Sequence, residues 1–184
     1  MLTELTSLVR SFAKARVVLV GDLILDRYMY GDAERISPEA PVPVLRAVER
    51  HERVGGSANV AACLRTLGAS VQCFGAVGDD SEGRRVRSLL ADMGAEHNGC
   101  VVADDRGTTT KTRFVGLAQH RHRQQLLRFD EECTDPLLPQ TAQTLLSKVT
   151  QAVGDVDVVC IEDYDKGVVN RSLVEAITSA ADRA

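Results

Sequence analysis

Tryptophan is absent from the 184-residue sequence, and only 4% of the residues are aromatic. Because proteins hold single-stranded nucleic acid largely by stacking bases on aromatic side chains, this scarcity argues against a nucleic-acid partner. The net charge is −4 with acidic and basic residues interspersed, so there is no basic face for nucleic acid or anionic lipid. No apolar run approaches the length of a membrane span, and the N-terminus lacks a signal-peptide core. We therefore expect a cytoplasmic protein with no membrane partner.

Cysteine and histidine patterns typical of metal sites are also missing. The five cysteines include no C-x-x-C pair and are odd in number, so neither a zinc site nor a disulfide framework is indicated. His120 and His122 could share a strand face and bind a metal. No carboxylate or thiol lies at a matching spacing, so a solvated loop is the favoured interpretation. We predict no metal site.

The common phosphate-binding loops are absent as well. The sequence contains no G-x-x-x-x-G-K-[ST] motif, and no G-x-G-x-x-G follows the first apolar run. That run ends instead in Gly21, with Asp22 and Asp26 close behind. A standard dinucleotide site is therefore not expected.

Short apolar runs alternate with amphipathic helical patterns along the chain. The runs at 16–20, 71–77 and 156–162 are Val-rich and nearly continuous, as in strands covered on both faces. The intervening segments carry apolar residues at helical spacing. Alternation of this kind predicts an α/β fold, with a parallel sheet flanked by helices and right-handed crossovers.

Two stretches, at about 27–53 and 108–131, do not fit this alternation. Both contain strand-like runs without a long helix, and Pro38, Pro41 and Pro43 fall in the first. We interpret them as β-rich insertions that stand off the main sheet and together form a small lid. The sequence from 1 to 184 then reads as one α/β domain with a β appendage.

The stretch RVGGSANVA combines a glycine pair with a helix start. Gly55 and Gly56 allow close approach to the backbone, and Asn59 lies in the first helical turn, where N–H groups are unpaired. Asp22 and Asp26 follow the first strand at the edge of an α/β sheet where ligands bind, and carboxylates accept hydrogen bonds from sugar hydroxyls. Two other interpretations remain open: a loop entering a core helix, and a turn in which Asp26 pairs with Arg27 or Arg35.

These residues resemble a known family. GGSANVA, followed by Gly68 and Gly78, is similar to the N-terminal signature of the ribokinase-like (PfkB) carbohydrate kinases. VGDLILDRYMYGDAERISPEAPVPVL, TTTKTRF, QQLLRFDEE and EDYDKGVV resemble the kinase domain of heptose 7-phosphate kinases. Those enzymes, often fused to an adenylyltransferase, use ATP to phosphorylate the anomeric hydroxyl and so make ADP-heptose for lipopolysaccharide core.

The resemblance implies a ribokinase-like fold whose β lid closes over a sugar phosphate and often builds a homodimer. It implies contacts to substrate hydroxyls from Asp22, Asp26, Gly55, Gly56 and Asn59. Cations and forked donors in the lid strands suit phosphate oxygens, and the candidates there are Lys111, Arg113, Gln125 and Arg128. Arg113 and Arg128 are otherwise ordinary strand charges. Asp163 and Lys166 follow the last apolar run; Lys166 could meet a phosphate or pair with Asp163 or Asp165.

Two family motifs are missing. The Gly-Ala-Gly-Asp motif supplies the catalytic base and anion hole, and the Asn-x-x-Glu motif organises magnesium and the nucleotide phosphates; neither occurs in the sequence. The family's ATP and Mg sites are therefore not expected in this chain, and we assign no catalytic residue. We expect an inactive N-terminal part of a kinase domain whose C-terminal part is missing. The alternatives are a non-catalytic paralogue that binds sugar phosphate or dimerises, and an unrelated α/β nucleotide-binding module.

Overall fold

The computed structural model describes residues 2–117 and 122–183, so His120 lies outside the described residues. Four parallel strands form the main sheet in the order β5-β4-β1-β8. This arrangement, with helices packed on the sheet, confirms the predicted fold class. The strands of the main sheet are β1 (Arg16–Gly21), β4 (Ser70–Gly78), β5 (Glu96–Ala103) and β8 (Val158–Glu162).

Both faces of the main sheet are covered, because alternate residues of β1 enter different apolar clusters. Leu19 packs in the cluster that contains Val86 and Leu90, whereas Val18 packs in the cluster that contains Leu145. Helices contribute to both clusters, and because both faces of the strands are covered, the apolar runs are continuous rather than alternating. The helices of the described residues are α1 (Leu2–Ser11), α2 (Ser57–Thr66), α3 (Ser81–Asp92), α4 (Pro139–Ala152) and α5 (Arg171–Ala181).

Side-chain caps fix the starts of two helices. The Asp80 carboxylate accepts the Gly83 N–H at the start of α3, at 2.7 Å. Asn170 does the same for the Leu173 N–H at the start of α5, at 2.9 Å. Such caps satisfy backbone donors that have no partner within the helix.

Four further strands form a second sheet in the order β3-β2-β6-β7. The pairs β2–β3 and β6–β7 are antiparallel, and β2–β6 is parallel. Most of these residues come from the two stretches that did not fit the strand–helix alternation. The strands of the second sheet are β2 (Leu23–Ile36), β3 (Pro43–Gly56), β6 (Thr110–Gly116) and β7 (Gln124–Glu131).

An ion-pair network joins the second sheet to α3. Arg27 contacts Glu52 at 3.0 Å and Glu82 at 2.6 Å, and Arg85 contacts Glu52 at 2.8 Å. Arg27 and Glu52 are directly opposite each other on β2 and β3, so one pair of strands carries the contact to the helix. Among the helices of residues 2–117 and 122–183, none is long and apolar enough to cross a membrane.

Candidate functional site

The candidate site begins where the second sheet leaves the carboxyl end of β1. Asp26 lies on β2 shortly after this junction, and its Oδ1 accepts a hydrogen bond from Arg113 Nη1 of β6 at 2.7 Å. A Cβ added to Gly55 would lie 2.8 Å from Asp26 Oδ2. Gly55 is buried, and the absence of a side chain there makes the room that the Asp26 carboxylate occupies. The partner of Asp26 is Arg113, not Arg27 or Arg35.

Two cations flank Asp26 on the neighbouring strands. The register places Arg53 of β3 and Lys111 of β6 directly opposite Asp26, so that the three side chains point to the same face. Within the described part of the chain, neither Arg53 nor Lys111 has a carboxylate within ion-pair distance. This row of a carboxylate between two unpaired cations is the centre of the site.

Two tyrosines extend the same face along β2. The rings of Tyr28 and Tyr30 stack with centroids 6.1 Å apart. The guanidinium of Arg113 lies 5.1 Å from the Tyr28 centroid and that of Arg53 lies 5.7 Å from it. These distances are within the range of cation–π attraction, so both guanidinium groups are held near the Tyr28 ring.

The glycine pair ends at the start of α2, as its sequence suggested. Gly56 has φ = +56°, a conformation that costs little only for glycine. A Cβ at Gly56 would also collide with the Asp22 carbonyl oxygen, which accepts the Ser57 N–H at 3.0 Å. Asn59 lies in the first turn of α2 and is exposed. Its role as a sugar ligand stays a prediction.

Asp22 is buried at the end of β1. The residue is 1% exposed, and the carboxylate accepts hydrogen bonds from the N–H groups of Tyr164 at 2.7 Å, Lys166 at 3.3 Å and Val168 at 3.4 Å. Burial raises the pKa of Asp22 above its ordinary value, although these N–H groups oppose the shift by stabilising the charged form. The carboxylate therefore holds the loop after β8 against the end of β1, and its contact with a sugar stays a prediction.

Asp163 and Lys166 belong to that loop. Asp163 Oδ1 accepts the Asp165 N–H at 2.8 Å, and Asp165 has φ = +58°. Lys166 Nζ pairs with Glu132 Oε2 at 3.1 Å rather than with Asp163 or Asp165, the pairing that the sequence left open beside a phosphate contact. Glu132 directly follows β7, and the Lys166–Glu132 pair therefore links this loop to the end of the second sheet.

The predicted cations of β7 lie farther out. Arg128 pairs with Asp130 at 2.9 Å and stands opposite Arg113 across the strands. Gln125 is exposed and opposite Val115. Arg113 and Arg128 thus both have carboxylate partners; Arg113 is partly buried, whereas Arg128 is exposed, as an ordinary strand charge would be.

Sequence reasoning missed Arg53 and Tyr28. Arg53 precedes Gly55 by two residues, and residues two apart in a strand share a face. This spacing would have indicated Arg53 if the sequence had shown that β3 extends as far as Gly56. Tyr28 bears the same relation to Asp26.

The described residues contain no group of three or more His, Cys, Asp or Glu side chains placed to hold a metal ion. Kinases of the PfkB type generally use ATP and Mg, and the described residues bring together no carboxylate cluster that would hold the Mg ion.

Comparison with known proteins identifies related sequences over nearly the whole chain. Residues 14–184 match the pfkB family carbohydrate kinases. The chain is 42% identical over 170 residues to the D-beta-D-heptose 7-phosphate kinase of Bordetella bronchiseptica, which covers 92% of this chain and 51% of that protein. It is 40% identical over 168 residues to the bifunctional protein HldE of Helicobacter pylori strain J99, covering 91% of this chain and 35% of that protein. The chain therefore spans between about a third and a half of the length of these relatives.

Solved structures show the same fold. Phosphofructokinase-2 from Escherichia coli, in its tetrameric inhibited form, superposes with a TM-score of 0.66 at 20% identity, covering 92% of this chain and 52% of that one. Ribokinase of Arabidopsis thaliana, solved with ribose and ATP, gives a TM-score of 0.57 at 17% identity, covering 90% and 51%. At these identities the likeness establishes a ribokinase-like fold, of which the chain spans about half.

Proposed function

The chain belongs to the pfkB family of carbohydrate kinases, and from this premise we propose that it supplies the sugar-phosphate-binding half of a heptose 7-phosphate kinase. The observation that carries the proposal is the row in which Asp26 lies between Arg53 and Lys111 on one face of the second sheet. The similarity to the heptose 7-phosphate kinase of Bordetella bronchiseptica supports the choice of substrate.

In this proposal the sugar hydroxyls bind at the junction of the two sheets. The Asp26 carboxylate accepts their hydrogen bonds, and Asn59 with the backbone at Gly55 and Gly56 completes the contact. The phosphate binds the cations of the same face, because charge-assisted hydrogen bonds to phosphate are stronger than neutral ones. The sugar's anomeric hydroxyl is the phosphoryl acceptor, and the product leads to ADP-heptose for lipopolysaccharide core in the cytoplasm.

The second sheet acts as the lid of this site. A lid that excludes water protects a kinase from transferring phosphate to water. The opposite face carries the exposed apolar side chains Leu127 and Phe129, which are 57% and 53% exposed. Apolar surface of this kind suits a second copy of the chain, so we propose a homodimer through the second sheet.

Phosphoryl transfer by the 184-residue chain alone is not part of the proposal. The Gly-Ala-Gly-Asp and Asn-x-x-Glu motifs are absent from the sequence. Loss of an anion hole costs about 10²–10³ in rate, and loss of a general base about a further 10²–10⁴. We expect sugar phosphate to bind weakly without turnover.

A calorimetric titration with heptose 7-phosphate tests the binding role. We expect the wild-type chain to bind and Asp26→Asn to bind at least about tenfold more weakly, since a charged acceptor of sugar hydroxyls is lost. The matched control is Asp32→Asn, because Asp32 lies on the same strand and pairs with Arg46 at 2.6 Å. An Asp26→Asn variant that binds as tightly as the control would overturn the proposal.

A coupled ADP-release assay with heptose 7-phosphate and ATP tests the second part. We expect no measurable turnover from the 184-residue chain. Turnover that disappears on Asp163→Asn would contradict the proposal, because it would place a working base on the loop after β8.

A further inference from the structure

Among the cations of the candidate site, the geometry points to Arg53 as the residue that anchors the phosphate group of the substrate. This inference rests on the proposed function, because it takes a sugar phosphate as the ligand. Neither the glycine motif nor the lid motifs of the sequence pointed to Arg53.

Most cations near the site already have anionic partners. Arg113 is bound to Asp26 at 2.7 Å, Arg128 to Asp130 at 2.9 Å, and Lys166 to Glu132 at 3.1 Å. A phosphate that recruited any of them would have to compete with a carboxylate already in place. In the described part of the chain Arg53 and Lys111 have no such competitor.

The space around Asp26 distinguishes Arg53 from Lys111. On the β6 side, Arg113 lies next along the strand from Lys111 on the same face and reaches back to Asp26, so its side chain occupies the surface there. On the β3 side, Arg53 is exposed, whereas Lys111 on the β6 side is half-buried. A ligand whose hydroxyl binds Asp26 can therefore place its phosphate at Arg53 from the solvent side.

The guanidinium of Arg53 is oriented before the ligand arrives. It lies 5.7 Å from the Tyr28 ring centroid, whose other neighbour is Arg113. Cation–π attraction holds the side chain near the ring while its N–H groups stay free for hydrogen bonds. Restricting the side chain in advance lowers the entropy lost on binding, and the fork of N–H donors matches two phosphate oxygens at once. Tyr28 is a positioning residue in this arrangement.

The test compares phosphorylated and unphosphorylated heptose as ligands of the full 184-residue chain. We expect Arg53→Ala to weaken heptose 7-phosphate roughly ten- to hundredfold, the usual effect of losing hydrogen bonds to a charged group. Affinity for unphosphorylated heptose should change less than about twofold, and Arg53→Lys should recover part of the loss. The matched control is Arg50→Ala, because Arg50 lies on the same strand and projects from the other face.

Competition by inorganic phosphate provides a second readout, which does not depend on measurable binding of the unphosphorylated sugar. Phosphate should displace heptose 7-phosphate from the wild-type chain and from Arg50→Ala but not from Arg53→Ala. Melting curves of the variants identify any that fail to fold, and Arg53→Gln then replaces Arg53→Ala.

The two failures are distinguishable. Absence of sugar-phosphate binding by the wild-type chain, or no effect of Asp26→Asn, overturns the proposed function. If the wild-type chain binds and Asp26→Asn weakens it, but Arg53→Ala behaves like Arg50→Ala in both assays, the assignment of Arg53 is overturned and the proposed function stands.

Discussion

The two four-stranded sheets of this molecule are stabilised in different ways. In the main sheet every residue of β1 after Arg16 is buried, and apolar clusters pack on both faces. In the second sheet nearly all of β7 is exposed, and the sheet is tied to α3 by ion pairs that involve Arg27 and Glu52. Burial therefore stabilises the main sheet, whereas the second sheet keeps charged and aromatic side chains on its surface.

Two carboxylates show the same contrast over four residues. The Asp22 carboxylate accepts hydrogen bonds from three backbone N–H groups inside the protein. The Asp26 carboxylate instead accepts one from the Arg113 side chain on the second sheet. The Asp22 carboxylate holds the loop after β8, whereas the Asp26 carboxylate is partly exposed and pairs with Arg113. We frame four predictions as tests of this contrast, from the largest expected effect to the smallest.

The largest expected effect is the loss of a buried side chain of the main sheet. Leu19 is 1% exposed, so Leu19→Ala should lower the free energy of unfolding by about 2–5 kcal/mol through lost burial and a cavity. Phe129→Ala, on the exposed face of the second sheet, should cost less than about 1 kcal/mol in the monomer. Denaturant unfolding of both variants measures the difference. Equal losses would mean that the two sheets are stabilised in the same way.

A backbone substitution at the junction of the sheets should rank second. Gly56→Ala forces an alanine into φ = +56° and against the Asp22 carbonyl, at a cost of roughly 1–3 kcal/mol. The control is Gly154→Ala, because a Cβ at Gly154 would have nothing within 4 Å and should be neutral. The same unfolding measurement applies. A neutral Gly56→Ala would show that the junction can relax.

Breaking the ion-pair network should have a smaller and local effect. Glu52→Gln removes the charge shared by Arg27 and Arg85 and should cost about 1 kcal/mol, because these partners are only partly buried. Amide hydrogen exchange should become faster in β2 and β3 and stay unchanged in β1. The control is Asp79→Asn, whose pair with Arg84 is highly exposed and should contribute little. Faster exchange in β1 would show that the ion-pair network also stabilises the main sheet, contrary to this prediction.

The smallest effects concern pH, and the two regions should respond with opposite sign. Burial raises the pKa of Asp22, so its protonated form favours the folded state, and its contribution to stability falls as pH rises above about 4, the ordinary carboxyl range. Partial burial raises the pKa of Glu52, but Arg27 and Arg85 outweigh that effect and hold it below its ordinary value. Its contribution is present above about pH 4 and is lost as pH falls through the lowered pKa.

Unfolding curves between about pH 3 and pH 7 test these signs. Asp22→Asn should flatten the dependence of stability on pH above about 4, and Glu52→Gln should flatten it below that value. If both substitutions change the same pH range, the two carboxyl groups are not in the opposite environments described here.

The main sheet could be predicted from the sequence better than any other part. The Val-rich runs at 16–20, 71–77 and 156–162 agree with the bounds of β1, β4 and β8 to within one or two residues. They could be recognised because strands covered on both faces have continuous apolar sequences. β5 escaped prediction, since Glu96 and Asn98 interrupt its pattern at the edge of the sheet. The exposed helix α1 was also missed.

The candidate site could be predicted only in part. The residues Asp26 and Gly55 were chosen from the sequence, and the structure brings them together; their contact with a sugar stays a prediction. The neighbours of Asp26 depend on strand register, which sets the pairing of residues far apart in sequence and follows from side-chain burial and turns over both strands. No local pattern therefore revealed that Arg53 and Lys111 stand opposite Asp26, or that Asp22 turns inward.

The position of β1 has a consequence for how the chain acquires this structure during synthesis. Among the described strands β1 is synthesised before the others, yet its two neighbours are β4 and β8, and Asp22 bonds to Tyr164 across 142 positions. At about 5–20 residues per second, one edge of β1 waits roughly 7–28 s for the strand that covers it. Over that interval an apolar strand presents unpaired N–H and C=O groups, a surface that invites mispairing with other chains. The nascent chain should therefore depend on chaperones for longer than proteins whose first strands pair with their immediate successors.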